Sequence, residues 1–443
     1  MNPADLAATL VPYLSSRRWY IAYSGGVDSH VLLHAVAGLR NQLREAIAAR
    51  QLPRLTAIHI NHQLNPHAAA WVAHCKTVCA DLGIELIVET VAVERDAGQG
   101  LEAAARLARY AAFERHIGSD ELLLQAHHRD DQVETLLLRL LRGSGLAGLA
   151  SMPALRALGK GRLLRPLLAV TRAEIIGYAQ HNQLRWIHDD SNDNECFDRN
   201  FLRLRVLPLV AERWPSYRDT LQRVIDNAAE ADGLLKELAA LDYADAVALD
   251  GALQIDSCLL LSAARQRNLI FYWLQQQHLP PPSREQLAQV MKVFEAGDDA
   301  EPCVTWPGAE LRRFRGRLYA MPPLPELPAA IDIEWQPPRP LSIAGFAELQ
   351  FSSVIGAGLR TDRHYHVRNR RGGERCRPLG RAHSQTLKKL LQEYDVKPWL
   401  RDRLPLIYCG DEIAAVASLW ICEGYQAAPR ENGWHIERQP RWQ

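Results

Sequence analysis

Six residues, Ser24-Gly25-Gly26-Val27-Asp28-Ser29, constrain this chain more than any other feature. They lie between WYIAY (Trp19 to Tyr23), which reads as a buried strand, and HVLLHAVAGL, whose apolar spacing is helical. A glycine-rich turn from strand to helix brings backbone N–H groups close to an anion, and the helix N-terminus adds a positive dipole. Ser24 and Ser29 add hydroxyl donors. The loop has no lysine and the chain has no G-x-x-x-x-G-K-[ST], which excludes a Walker A site. Asp28 is out of place in an anion nest, because a carboxylate repels phosphates unless a cation intervenes. A Mg²⁺ bridging Asp28 to phosphate oxygens is the economical account. The plainer one is a tight βα turn with Asp28 as a helix cap.

The strand–helix alternation continues to about residue 200, the pattern of an α/β domain with a parallel sheet. LTAIHI is a second strand, followed by a helix ending at Gly83. IELIVETV is a third strand, and LEAAARLARYAAFERHIG a helix expected to be capped by Gly118. ELLLQAH leads into the helix HRDDQVETLLLRLLRG. A shorter unit runs from Leu163 to Leu167 and then TRAEIIGYAQHN, where Thr171 and Glu174 form a capping box. From about Leu221 to Glu295 the spacing is helical throughout. Proline-rich MPPLPELP and WQPPRP follow, then short alternating runs with a basic helix. The expected domains are 1–215 (α/β), 216–325 (mostly helical) and 326–443 (small α+β).

At the end of the fourth strand lies His127-His128-Arg129-Asp130-Asp131-Gln132-Val133-Glu134-Thr135. Open α/β sheets bind ligands at the carboxyl ends of their strands, so this motif and the glycine loop can face one crevice. Helical spacing puts His127, Asp131 and Glu134 on one face, with Asp130 and Glu134 one turn apart. Crowded acids need a divalent cation or an ammonium group among them. A solvated acidic first turn complementing the helix dipole is the alternative. Glu102, Arg106 and Arg109 share a helix face, either as surface ion pairs or as arginines reaching phosphate. His59-Ile60-Asn61-His62 lacks partners spaced for zinc. Gly143-Ser144-Gly145-Leu146-Ala147-Gly148 matches G-x-G-x-x-G but follows a helix, so the dinucleotide context fails.

The net charge of +1 conceals an asymmetry: residues 360–443 hold 16 Lys/Arg against 10 Asp/Glu. A basic tail on a mildly acidic body suggests a polyanionic partner. Hydrophobic residues make up 47 % and charged ones 23 %, which excludes wholesale disorder. No apolar run reaches the ~20 residues of a membrane helix. The first residues lack the pattern of a signal peptide. Eight cysteines without a C-x-x-C point to a reduced, cytoplasmic protein.

The loop SGGVDS resembles that of the PP-loop ATP-pyrophosphatase superfamily of N-type enzymes, which split ATP between the α and β phosphates. The order SGGVDS, IHINHQL, EAAARLARY, AHHRDDQVET, RGSGLAGL, DDSNDNECFDRNFLRLRVLP, and in the tail RRGGERCRPLG and LKKLLQEYDVKPWLRDRLPLIY, resembles the tRNA(Ile)-lysidine synthase family. The resemblance covers about residues 18–210 and 360–425. It implies an adenine nucleotide alpha hydrolase-like N-terminal domain followed by two tRNA-binding domains. The implied partners are ATP, Mg²⁺, free L-lysine and the tRNA(Ile) with a CAU anticodon. Lysine would be ligated to carbon 2 of the wobble cytidine through an adenylated base. Carried over by motif, Ser24, Gly25, Gly26, Val27, Asp28 and Ser29 would hold the ATP phosphates, with Asp28 and Asp131 on the metal. Arg106, Asp130, Asp131 and Glu134 would be catalytic together with Asp28. His62, Arg109, His127, Asn192, Arg199, Asn200 and Arg203 would form the substrate pocket. Arg370, Arg371, Arg375, Arg377, Lys388 and Lys389 would contact tRNA phosphates. A homodimer is left open. The nearest rival, a PP-loop tRNA thiolase, needs a cysteine to carry sulfur or to hold an iron–sulfur cluster, and none lies in the phosphate loop or the acidic helix.

Overall fold

The computed structural model describes residues 2–46, 52–63, 65–93, 101–297, 300–328, 330–343 and 346–439. The chain forms two compact units, Met1–Leu234 and Leu235–Gln443.

The first unit opens with helix α1 (Pro3–Leu10), then β1 (Arg18–Ala22) and α2 (Val27–Ala46). It continues through β2 (Arg54–Asn61), α3 (Ala68–Asp81), β3 (Glu85–Thr90), α4 (Leu101–His116), β4 (Glu121–Leu124) and α5 (Arg129–Leu141). A short helix α6 (Leu146–Leu149) precedes a hairpin of β5 (Leu155–Leu158) and β6 (Gly161–Leu164), and α7 (Arg172–His181) follows. Strand order is β3-β2-β1-β4-β6-β5. All neighbours are parallel except β5, which pairs antiparallel with β6 at the edge. The expected parallel α/β domain is therefore present, with an antiparallel edge hairpin that the short runs did not announce. Ile21 aligns with Ala57 on one side and Leu124 on the other, so the carboxyl ends of the central strands share one edge. Trp19, Ile21, Val31, Leu32, Leu122 and Leu124 are buried in one core, and Tyr20, Ile58, Phe113 and Leu123 in another. Gly83 ends α3 with φ +62° as its position suggests, and Thr171 and Glu174 form their capping box. Gly118 is not a left-handed cap for α4. Its N–H donates instead to Glu121 Oε2 at 2.8 Å.

The chain then forms α8 (Asp198–Phe201), a π-helical turn at Leu202–Val206, and α9 (Leu207–Arg213). The long helix α10 (Tyr217–Ala246) crosses the division between the units.

In the second unit, β7 (Leu253–Gln254), α11 (Ile255–Leu259), α12 (Ala263–Gln276) and α13 (Arg284–Val293) precede β8 (Cys303–Trp306), β9 (Ala309–Phe314) and β10 (Arg317–Met321). The four strands form an antiparallel sheet, β7-β10-β9-β8, on which the helices bury Trp273, Leu274, Val290 and Phe294. The middle region is thus mostly helical, as expected, with a small antiparallel sheet that the spacing did not announce. From residue 332 the chain is β-rich. Its main sheets have five and four strands, and it carries short helices α14 (Leu387–Glu393) and α15 (Pro398–Arg401).

Candidate active site

The glycine loop closes on itself. The Ser24 N–H donates to Ser29 Oγ at 3.2 Å, the two hydroxyls lie 3.0 Å apart, and Ser29 Oγ donates to the Gly26 carbonyl at 3.0 Å. Gly25 has φ +88°, and a Cβ there would meet Ile187 Cδ1 at 2.5 Å, so any other residue would be strained and would have to displace Ile187. The Ile187 N–H donates to the Gly25 carbonyl at 2.9 Å, which ties the loop to the segment after α7. Val27 and Asp28 begin α2, so the dipole of a 20-residue helix points at the loop.

The acidic motif meets this loop through His128. Its Nε2 is 3.8 Å from Asp28 Oδ1 and 3.5 Å from Asp131 Oδ2. Asp28 Oδ1 is buried without a hydrogen-bond partner among the described residues. Burial raises the Asp28 carboxyl above its ordinary range, and Asp131 adds to this while His128, Arg172 and Arg203 oppose it.

The cations among the acids come from the chain itself. Arg199 donates through Nε to Glu134 Oε2 at 2.6 Å and through Nη2 to Asp131 Oδ1 at 2.7 Å. Arg203 donates through Nε to Glu134 Oε1 at 2.6 Å and through Nη2 to Oε2 at 2.9 Å. Arg199 and Arg203 are one turn apart, on α8 and in the π-helical turn, which aims both at α5. Asp131 Oδ2 also accepts the His128 backbone N–H at 2.9 Å. Burial works to raise the Asp131 carboxyl, but His128, Arg199, His127 and that N–H hold it below its usual range.

Asp130 turns elsewhere. Its Oδ1 accepts from Arg218 Nε at 2.6 Å and its Oδ2 from the Arg172 N–H at 2.9 Å. These partners outweigh burial and hold its carboxyl low. A reciprocal pair, Arg129 Nη1 to Asp219 Oδ1 at 2.7 Å, completes the link between α5 and α10. Asp130 and Glu134 therefore face different partners. Arg218 was not legible in the sequence, since only proximity in the fold selects it.

His127 precedes α5 and is not on the helix face expected for it. Its Nδ1 accepts from Arg165 Nε at 3.2 Å. A guanidinium only donates, so the imidazole carries its proton on Nε2. Burial first, then Arg165, Arg199 and Arg109, push His127 down to about 3, against the pull of Asp131. Burial first, then Arg109 and His59, lower His62. His59 is structural: its ring Nδ1 lies 3.0 Å from the Tyr23 carbonyl. Arg106 lies over the Tyr110 ring at 5.1 Å. Asn200 Nδ2 donates to the Asn194 carbonyl at 2.9 Å. The side chains of Asn192 and Glu102 lie outside the described residues. Among the described residues, no three His, Cys, Asp or Glu side chains group to hold an ion by themselves.

In the tail, Arg371, Arg377, Lys388 and Lys389 are exposed. Arg370 pairs with Asp402 at 3.0 Å, and Arg375 donates to the Ser384 carbonyl at 3.0 Å. Lys388 and Lys389 stand on the open face of α14, whose other face buries Leu387, Leu390 and Leu391.

Three family models match the chain: the PP-loop domain at residues 4–210, the TilS substrate binding domain at 253–319, and the TilS substrate C-terminal domain at 365–438. The tRNA(Ile)-lysidine synthase of Coxiella burnetii is 42 % identical over 445 residues, covering 99 % of this chain and 97 % of that protein. That of Alkalilimnicola ehrlichii is 43 % identical over 441 residues, covering 97 % and 96 %. Among solved structures, the U34-tRNA thiolase NcsA from Methanococcus maripaludis aligns with a TM-score of 0.40 at 16 % identity, over 52 % of this chain and 77 % of that one. A TILS C-terminal domain aligns with a TM-score of 0.20 at 17 % identity, over 25 % of this chain and 96 % of that one.

Proposed function

This chain belongs to the tRNA(Ile)-lysidine synthase family, and we propose that it joins the side-chain amine of free L-lysine to carbon 2 of the wobble cytidine in a CAU-anticodon tRNA(Ile). It is an ATP-using tRNA-modifying enzyme of the PP-loop class. The observation that carries the finer reading is the convergence of Asp28, His128 and Asp131 beside the phosphate loop, with Arg199 and Arg203 closing on Asp131 and Glu134.

The cytosine carbonyl is a poor electrophile. Its oxygen attacks the α-phosphorus of ATP and pyrophosphate leaves. The lysine amine then adds at carbon 2, loses a proton, and AMP departs with the oxygen. On this reading the N–H groups and hydroxyls of Ser24–Ser29 hold the pyrophosphate end. Asp28 fits a divalent ion, because its Oδ1 is buried without a partner. A Mg²⁺ shared by Asp28 and the phosphates would neutralise charge on the leaving pyrophosphate. Both Asp131 oxygens are already engaged, so Asp131 stands second as a ligand. Of the two α4 arginines, Arg109 would meet the α-phosphate or the base, because Arg106 lies against the Tyr110 ring with Arg156. His127, neutral with its proton on Nε2, would donate to an oxygen of the base or phosphate.

Asp131, whose side chain is 12 % exposed, would meet the lysine amine beside Arg199, while the buried Glu134 holds Arg199 and Arg203 in place and Asp130 positions α5 against α10. Asn192 and Asn200 would order the neighbouring loop. The exposed basic residues of the tail, with Arg370 and Arg375, would hold tRNA phosphates, where contacts position but do not specify. The cytoplasm, where ATP, lysine and tRNA meet, is the compartment this chemistry requires. Among the described residues no helix is long and apolar enough to cross a membrane. Thiolation finds no support in the site. Cys75 lies behind Gly25, buried, with its thiol pushed up to about 12 by burial.

The test is mass spectrometry of nucleosides after the full chain is incubated with unmodified tRNA(Ile) transcript, ATP and lysine. Lysidine should appear with equimolar AMP and pyrophosphate. Unchanged cytidine, or a sulfur-containing nucleoside, would sink the proposal.

A further inference from the structure

A second concentration of charge lies along the sheet, beyond the strand that feeds the glycine loop. Tyr110 on α4 has two guanidiniums against its ring, Arg106 at 5.1 Å and Arg156 of β5 at 4.8 Å. Arg165, just after β6, is 3 % exposed and is held by His127 and by the Pro153 carbonyl at 2.7 Å. Arg139 of α5 donates to the carbonyls of Gly148 and Ser151 at 2.8 and 2.7 Å. Among the described residues none of these four arginines pairs with a carboxylate, whereas Arg199, Arg203 and Arg218 each do.

Four guanidiniums with no described carboxylate paired to them repel one another. Burial, then neighbouring arginines, lower Arg139 and Arg165 from their ordinary value, though Tyr110 partly offsets this at Arg165. Burial opposes ionisation of Tyr110, yet Arg106, Arg165 and Arg156 bring its hydroxyl below the usual range. Such an arrangement is stable when an anion completes it.

Arg139 and Arg165 have spent donors on the protein. Arg156 donates through Nη1 to the Ala157 carbonyl at 3.2 Å and reaches the Tyr110 hydroxyl, and with five N–H donors it keeps others for a ligand. Guanidiniums with free planar donors suit a phosphate. Arg156 sits on β5, three strands from β1, which is about 14 Å across the sheet at ~4.8 Å per strand. Arg156 is therefore displaced along the sheet from the strand that feeds the glycine loop.

We propose that Arg106 and Arg156, held against Tyr110, form a second phosphate site that takes a phosphodiester of the RNA strand next to the reacting cytidine. The inference rests on the RNA-modifying reading above and adds a site to it. Arg165 and Arg139 supply field from behind, and Tyr110 sets the guanidiniums in place.

The test uses the full chain with Arg156→Gln and Arg156→Lys. For Arg156→Gln, affinity for unmodified tRNA(Ile) transcript should fall about tenfold, the loss of a charge-assisted contact. The slope of log affinity against log salt should shrink by about 0.7–0.9, one phosphate's worth. Arg156→Lys should retain the slope, and the KM for ATP should stay unchanged in both. Unaltered RNA affinity and slope would overturn the site. A raised KM for ATP with RNA binding intact would overturn its assignment to RNA. If the wild type forms no lysidine while Arg156→Gln still flattens the slope, the catalytic reading fails and the RNA site stands.

Discussion

Glu134→Gln isolates the charge logic of the acidic helix. Glu134 is 1 % exposed and accepts three hydrogen bonds, from Arg199 Nε, Arg203 Nε and Arg203 Nη2 at 2.6, 2.6 and 2.9 Å. The substitution keeps the volume, removes the charge and turns one acceptor into an NH₂ facing a guanidinium. Removing one partner of a buried ion pair costs ~3–5 kcal/mol. Here the arginine side chains are 23 % and 24 % exposed, and Asp131 still accepts from Arg199 at 2.7 Å. Water and Asp131 therefore take up part of the loss, leaving about 2–3 kcal/mol. For a unit of about 230 residues each kcal/mol moves the midpoint by ~2–4 °C, so the expected fall is roughly 4–12 °C. Calorimetry of the full chain measures it, with Glu114→Gln, an exposed acid on α4, as the control. A midpoint within about 1 °C of the wild type would refute the claim that Glu134 compensates the two guanidiniums.

Asp28→Asn should abolish pyrophosphate release while leaving the melting temperature unchanged or higher, because burial already disfavours the Asp28 carboxylate; a clear fall in melting temperature would contradict that reading. Burial pushes His30 down to about 4 and His127 to about 3. The unfolded chain, with histidines near ~6.5, binds more protons below that pH, so stability is full above it and is lost as pH falls from about 6.5 toward 4. The loss is at most about 1.4 kcal/mol per pH unit for each histidine, whereas the depressed Asp130 and Asp131 matter only below pH ~4. Urea midpoints at pH 7.5, 6 and 5 should decline in that order, and a flat series would rule the histidines out. Lys388→Gln with Lys389→Gln should weaken tRNA binding and reduce its salt slope by up to ~1.8; an unchanged slope would remove α14 from the RNA surface.

What the sequence disclosed was local in the chain. The loop at Ser24–Ser29, the cap at Thr171 and the end of α3 at Gly83 are each decided by neighbours a few residues away. The β5–β6 hairpin escaped because four-residue strands such as Leu155–Leu158 carry too little alternation to stand out. The β8–β10 sheet was hidden behind a long helical window, although Gly308 and Gly316, at φ +85° and +68°, mark its two turns. The site was half legible for the same reason. Charge crowding in Asp130, Asp131 and Glu134 implied a cation, but Arg199 and Arg203 lie 65 or more residues from Glu134, and only the family resemblance, not periodicity, picked them out of 52 basic residues as pocket residues, without their role as partners of the acids. Their presence changes the chemistry expected of the acids. Three bare carboxylates would bind a lysine ammonium tightly and raise its pKa, opposing the deprotonation that attack requires. With Asp131 and Glu134 already matched by two guanidiniums, the local charge is near balance. On the proposed reading the amine is then oriented by oxygens that do not hold its proton hard, and binding no longer works against the step that follows it.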